Sequence, residues 1–313
     1  MLNRLVPSVN SAVLLVCGTT IFGFADSLTP LVSKDVSVGQ FHFSRSLIAV
    51  IGIFVFSKVF GVSIMPRLWK PTVARTCFLV ISALLYFASI PMMPMAVAGA
   101  GLFTSPIFVL LFSTLMFRER VGWRRISAVL LGSCGVLLVL QPASDGFSVY
   151  QLMPVMAGAC YAMTSIITYR YLQEESSLAI LMSFLVALGV IGTLITIGAT
   201  VFPFSQEVVE RAPFLFKGWQ SVDVLYWKYL AVIAATATIA LLFITYAYQS
   251  LRTSYAAVFE YAYLFSVAFF GWLLWGNIPN FLSIIGIFLI IFAGLVISMV
   301  PSKYLSNLYD VNK

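Results

Sequence analysis

Apolar runs of about 20 residues, each closed by a short polar or proline-containing turn, repeat along the whole chain. The first run extends from about Asn10 to Ser33, and Gly18, Gly23, Asp26 and Pro30 predict a break or bend in its second half. A polar turn at 34–39 leads into a second run, about Gln40 to Phe60, with Arg45 near its start. A loop with Arg67, Lys70 and Arg75 precedes the third run, which ends at Pro91 and Pro94. The fourth, about Met95 to Phe117, opens on Ala96, Ala98, Gly99, Ala100 and Gly101 and contains Pro106. Trp123 starts the fifth, where Ala128, Gly132 and Gly135 form a small-residue stripe before Gln141-Pro142.

The polar loop 143–149 divides the chain. Beyond it a sixth run spans about Tyr150 to Tyr169 and a seventh lies between Leu178 and Phe202. The longest polar stretch, Pro203 to Asp223, mixes charges with Phe214, Phe216 and Trp219 and predicts an interfacial loop or short surface helix. The eighth run covers about Val224 to Gln249, the ninth Thr253 to Trp275, and the tenth Phe281 to Val300 with Gly286 and Gly294. The pattern therefore predicts an all-α integral membrane protein with ten transmembrane helices.

Composition agrees. Of 313 residues 61% are hydrophobic and 9% charged, at a mean hydropathy of +1.02, whereas a soluble domain carries about 25% charged residues. No room is left for a separate soluble domain, and the first run is too long, and lacks the Ala-x-Ala-like end, for a cleavable signal. The net charge of +7 falls in turns between apolar runs, not on an aromatic-interleaved polar stretch, so it implies membrane topology and no nucleic-acid partner.

With ten spans and an inside N-terminus, Arg4, Lys58, Arg67, Lys70, Arg75, Arg118, Arg120, Arg124, Arg125, Arg170, Arg252, Lys303 and Lys313 all fall on the cytoplasmic side. Lys34, Arg211, Lys217 and Lys228 fall outside, which places both termini, including a short tail at 302–313, in the cytoplasm. The Arg118 to Arg125 cluster reads as a positive-inside anchor rather than a site for anionic lipid or a phosphorylated substrate. Cys17, Cys77, Cys134 and Cys160 lie in apolar runs without metal-ligand spacing and read as buried free thiols; with one histidine, His42, no His-based metal site is expected.

The halves resemble each other. Ala83 to Phe87, Ala-Leu-Leu-Tyr-Phe, matches Ala240 to Ile244, Ala-Leu-Leu-Phe-Ile, and each leads through a turn into a small-residue run. The turn at 118–120 before Trp123 corresponds to 276–279 before Phe281. Five spans per half is odd, so residues 1–142 and 150–301 would cross the membrane in opposite senses, an inverted repeat as in many secondary transporters.

Phe43-Ser44-Arg45, Pro106, Arg118-Glu119-Arg120 with Trp123, Gly135, Phe259-Glu260-Tyr261, Gly276-Asn277-Ile278-Pro279, Gly286 and Gly294 together resemble the EamA type of the drug/metabolite transporter superfamily over nearly the whole chain. The resemblance implies a bacterial inner-membrane carrier, without cofactor, whose cavity is lined by spans one, three, four, six, eight and nine. One departure is Asn277, where the family usually has an acid in the turn before its last span.

Glu260 stands out, because a carboxylate inside an apolar span loses its hydration and must be paired, face water or hold a proton. It is read as a cavity group for a cationic substrate moiety or a coupling proton, against a purely structural bond to a neighbouring tyrosine. Asp26 and Arg45 lie about 8–12 Å from the outer ends of their spans by helix rise and read as an intramembrane ion pair, structural or gating. Tyr86, Tyr161, Tyr246, Tyr248, Gln249, Tyr261 and Tyr263 complete the expected substrate pocket, with Phe87 and Thr164 beside them, while most tryptophans read as interfacial anchors. The small-residue stripes fit packing within a monomer or across a homodimer.

The expected activity is alternating-access movement of a small metabolite, an amino acid or related amphipathic compound, with export as the first expectation. Uptake of a zwitterionic or nucleoside-like compound such as S-adenosylmethionine is the alternative. A channel is disfavoured by the repeat and by the lack of charged rings, and an intramembrane enzyme by the lack of any Ser/His, paired-Asp or metal constellation.

Overall fold

The computed structural model describes residues 6–33, 36–89, 95–116, 122–140, 150, 152–211, 213–276 and 281–298, and every regular element among them is a helix. The Arg118-Glu119-Arg120 turn, Pro91, Pro94, the dividing loop, Asn277 and the tail at 302–313 lie outside the described residues.

In chain order the helices are α1 (Val6–Leu28), α2 (Pro30–Ser33), α3 (Val38–Phe60), α4 (Trp69–Ser89), α5 (Met95–Leu102), α6 (Ser105–Leu115), α7 (Trp123–Leu140) and α8 (Leu152–Tyr171). They continue as α9 (Ser177–Val201), α10 (Gln206–Arg211), α11 (Pro213–Phe216), α12 (Val224–Ser250), α13 (Thr253–Phe259), α14 (Ala262–Trp275) and α15 (Phe281–Ser298). Among the described residues, seven helical segments are long and apolar enough to cross a membrane, and three shorter apolar ones lie at Ser105–Leu115, Ile126–Leu138 and Ile284–Ala293. The protein is thus an all-helical, multi-pass membrane protein.

Local chemistry sets the helix ends. Ser37, Ser176 and Asp223 accept from the backbone N–H three residues on and start α3, α9 and α12. Gly61 and Gly276, at φ 65° and 68°, end α3 and α14 in the left-handed conformation that a side chain disfavours. The long polar stretch forms α10 and α11, and Gln40 pins it down: its Nε2 donates to the Gln220 carbonyl at 2.7 Å and its Oε1 accepts from the Gln220 N–H at 2.8 Å.

The most extensive helix pairs are α7 with α15, α1 with α12 and α14, α4 with α8, and α3 with α9; α8 also packs on α5 and α6. Small residues permit these approaches. A Cβ on Gly135 of α7 would sit 2.7 Å from the Gly286 carbonyl oxygen of α15. The stripe predicted in the fifth and tenth spans therefore packs within one chain. Cys17, Cys77 and Cys134 are free but lie exposed on helix surfaces, correcting the expectation of burial; only Cys160 is partly covered. Their helices present apolar faces outward, where a thiol is as well accommodated as in a core.

Candidate functional site

Two helices are interrupted, and the interruptions meet. Between α5 and α6 the Thr104 N–H bonds the Gly101 carbonyl and the Ile107 N–H bonds Thr104, both three residues back. Pro106 causes this: it has no N–H to give, and its ring crowds the carbonyl four residues earlier. Between α13 and α14 the Tyr261, Tyr263 and Leu264 N–H groups likewise bond three residues back. There is no proline there, so the tightening at Glu260 and Tyr261 is set by tertiary packing, a 3₁₀ turn of the kind that marks hinges. The Phe103 ring, at the first interruption, lies 5.5 Å from the Tyr263 ring and 6.4 Å from that of Tyr261, at the second.

Glu260 sits at this turn, 8% exposed. Its carboxylate accepts a hydrogen bond from the Tyr161 hydroxyl of α8. The Tyr248 hydroxyl of α12 faces the same carboxylate, and Ser165, without completing a bond of good geometry. One turn further along, the Tyr263 hydroxyl donates to Asp26 Oδ2 at 2.6 Å. Tyr86 of α4 lies within electrostatic reach of both Asp26 and Tyr263. Glu260, buried on the interrupted helix, is thus tied outward to α8 by the Tyr161 hydroxyl, while the half-buried Asp26 of α1 is tied to the same helix by the Tyr263 hydroxyl.

Asp26 and Arg45 are within electrostatic reach of each other. They do not form a closed ion pair: the Arg45 guanidinium carbon lies 5.3 Å over the Phe41 ring, and the Asp26 hydrogen bond goes to Tyr263. His42, one turn before Arg45, is buried against Phe87 at 4.6 Å between ring centres, with Nδ1 lacking a partner.

Three expected pocket residues are placed elsewhere. The Tyr261 ring turns away from Glu260 onto α7, fully buried among Ala128, Val129, Val136 and Ile290, with its hydroxyl 3.2 Å from Ser133 Oγ. A Cβ on Gly132 would lie 2.2 Å from that ring. Gly132→Leu is therefore expected to lower stability by about 1–3 kcal/mol through overpacking, read as a lower thermal midpoint of the purified protein, with Tyr261→Ala in the same chain restoring part of the loss. Tyr246 is 51% exposed and lines an apolar surface hollow of about 250 Å³ with Leu14, Leu242 and Phe243. Gln249 is structural: its Nε2 donates to the carbonyls of Leu172 and Glu175, and its Oε1 accepts from Ser177. The Glu175 carboxylate in turn accepts from the Arg67 and Leu68 N–H groups at 2.7 Å each, latching the turn before α4 to the turn before α9.

One charge is relocated. Arg75, expected in a loop, belongs to α4 and is 6% exposed. Its Nε donates to Thr168 Oγ1 at 3.0 Å and its Nη2 to Thr245 Oγ1 at 3.5 Å. The hydroxyl-bearing positions Thr164, Thr168 and Thr245 facing α4 are the signal that could have marked it. Among the described residues, no group of His, Cys, Asp and Glu could hold a metal.

Residues 10–141 match the EamA-like transporter family. The chain is 26% identical over 296 residues to the pseudopaline exporter of Pseudomonas aeruginosa, covering 93% of this chain and 96% of that one. It is 28% identical to a riboflavin transporter of Brucella anthropi over 56% of this chain and 58% of that one. With an S-adenosylmethionine uptake transporter of Rickettsia prowazekii identity is 21%, over 69% of this chain and 67% of that one. A solved structure at 18% identity superposes with a TM-score of 0.73 over 92% of this chain and 96% of its own, which establishes likeness of fold.

Proposed function

We propose, from the match of residues 10–141 to the EamA-like transporter family, a secondary carrier that moves a small metabolite by alternating access around Glu260. The observation that carries this is the meeting of two interrupted helices beside two tyrosine-bonded carboxyls, Glu260 buried and Asp26 half-buried. Interrupted helices facing one another deep in a bundle are where carriers hold substrate and coupling ions.

The architecture proposed is ten spans in two inverted five-helix repeats: α1, α3, α4, α5/α6 and α7, then α8, α9, α12, α13/α14 and α15. Shifting each span by five carries the α1/α12 pair onto α8/α4, α1/α14 onto α8/α6 and α3/α12 onto α9/α4. The α3/α9 and α7/α15 pairs map onto themselves. Such exchange supports a pseudo-two-fold axis through the site. The repeats correspond to 1–142 and 150–301, and the charge distribution supports both ends being cytoplasmic in a bacterial inner membrane. A working monomer suffices, since both repeats lie in one chain.

Glu260, Tyr161, Tyr248, Tyr263 and Tyr86 form the proposed substrate and proton site, with Asp26 and Arg45 as the outer charges. The substrate is an amino acid or related amphipathic compound, and export is supported by likeness to the pseudopaline exporter. Likeness to the S-adenosylmethionine uptake transporter keeps import as the second reading. The test is flux into and out of liposomes holding purified protein and a metabolite mixture. Saturable, counterflow-competent movement is expected; an ohmic current or chemical conversion of a metabolite would overturn the carrier reading.

A further inference from the structure

Arg75 is a buried cation for which the described residues supply no closed counter-ion. Two of its guanidinium nitrogens are held by Thr168 and Thr245, but Nη1 is buried with no hydrogen-bond partner, and so is the hydroxyl of the adjacent Thr76. Such an orphaned charge is costly in an apolar interior unless something anionic completes it. Glu175, the buried carboxylate of the neighbouring turn, is engaged by backbone N–H groups. Glu260 is separated from Arg75 by Tyr161, whose hydroxyl bonds Glu260 while lying within electrostatic reach of Arg75.

Depth matches as well. Arg75 is six residues past Trp69 and Glu260 seven past Thr253, so by helix rise both lie about 9–10 Å from the starts of helices that enter from the same side in the proposed topology. A guanidinium with an unpartnered Nη1 suits a carboxylate, which takes two parallel charge-assisted hydrogen bonds from such a fork.

We propose that Arg75 is the anion-binding half of the substrate site, taking the substrate's carboxylate while Glu260, across Tyr161, takes its cationic group. The substrate class is then a zwitterion with an amino-acid-type head. This rests on the carrier reading, which it refines: Thr168 and Thr245 hold the guanidinium in place, and its unpartnered Nη1 is left for the ligand.

The test uses the full-length protein in nanodiscs, with benzoate as a minimal carboxylate probe and benzylamine as a minimal cation, read by the saturable rise in thermal midpoint. Benzoate is expected to stabilise the wild type, and Arg75→Gln to weaken its apparent affinity about tenfold or more, as for loss of a charged hydrogen-bond partner, while the benzylamine response persists. Arg75→Lys keeps the charge without the fork and is expected to weaken benzoate in the same direction, which covers failure of the glutamine variant to fold. Absence of benzoate binding, or equal benzoate affinity in wild type and variants, overturns the proposal and leaves Arg75 as a structural counter-charge to Glu260. That result does not touch the flux measurement, whose failure would instead overturn the carrier itself.

Discussion

Replacing Glu260 by glutamine is expected to lower transport about 10- to 150-fold while leaving the protein folded. The side chain keeps its shape and an oxygen that accepts from Tyr161, so the interrupted helix retains its contacts with α8. What is lost is charge. A hydrogen bond to a charged partner contributes about 1.5–3 kcal/mol, which sets the expected range for a cationic substrate group or a proton held there. Stability moves the other way, because a buried carboxylate at 8% exposure carries a desolvation penalty that the amide lacks. A thermal midpoint equal to or above the wild type, together with collapsed flux, is the expected pair of results. Any dependence of wild-type flux on a proton gradient should vanish in the same variant. Unchanged flux would make the Tyr161 bond structural.

Asp26→Asn is expected to be the more damaging change for folding. The asparagine still accepts from Tyr263, but the buried Arg45 then loses Asp26, the one carboxylate within its reach among the described residues. Stranding a buried charge costs on the order of 3 kcal/mol when its partner is removed. Arg45→Gln in the same chain should return much of that loss, so the double variant melts above Asp26→Asn alone. Tyr263→Phe separates the hydrogen bond from the charge: it removes the 2.6 Å bond and leaves Arg45 its counter-charge. It is therefore expected to impair transport with a smaller effect on stability. A double variant no more stable than Asp26→Asn would mean that Asp26 and Arg45 act independently.

Much of the architecture is legible from one dimension. The apolar runs locate every long helix to within a few residues, because a bilayer leaves the chain little choice but helices of about 20 residues. Pro106 likewise announces the interruption of the fourth run. The interruption at Glu260 has no such sign, since Val-Phe-Glu-Tyr-Ala-Tyr holds neither proline nor glycine; what meets that turn is Phe103 and α8. Nor does sequence spacing reveal which face of a helix meets which neighbour in a bundle apolar on all sides. Tyr246, Gln249 and Tyr261 share runs with the proposed site residues yet point to a surface hollow, a turn and a helix interface. Arg75 was hidden by its company, as one more base after Arg67 and Lys70 at the mouth of a span. A single helical turn of depth separates a topological anchor from a buried cation.

If Glu260 is the hinge of an alternating-access carrier, its surroundings must open to each side of the membrane in turn. Ser165 reports on this, being buried on α8 beside Tyr161 and Tyr248. The most direct measurement places Ser165→Cys in a chain whose four native cysteines are replaced by alanine, in right-side-out and inside-out vesicles. It follows reaction with a small, membrane-impermeant thiol reagent. The account predicts labelling from either face with no ionic conductance, whereas labelling from one face alone, however long the exposure, would contradict it.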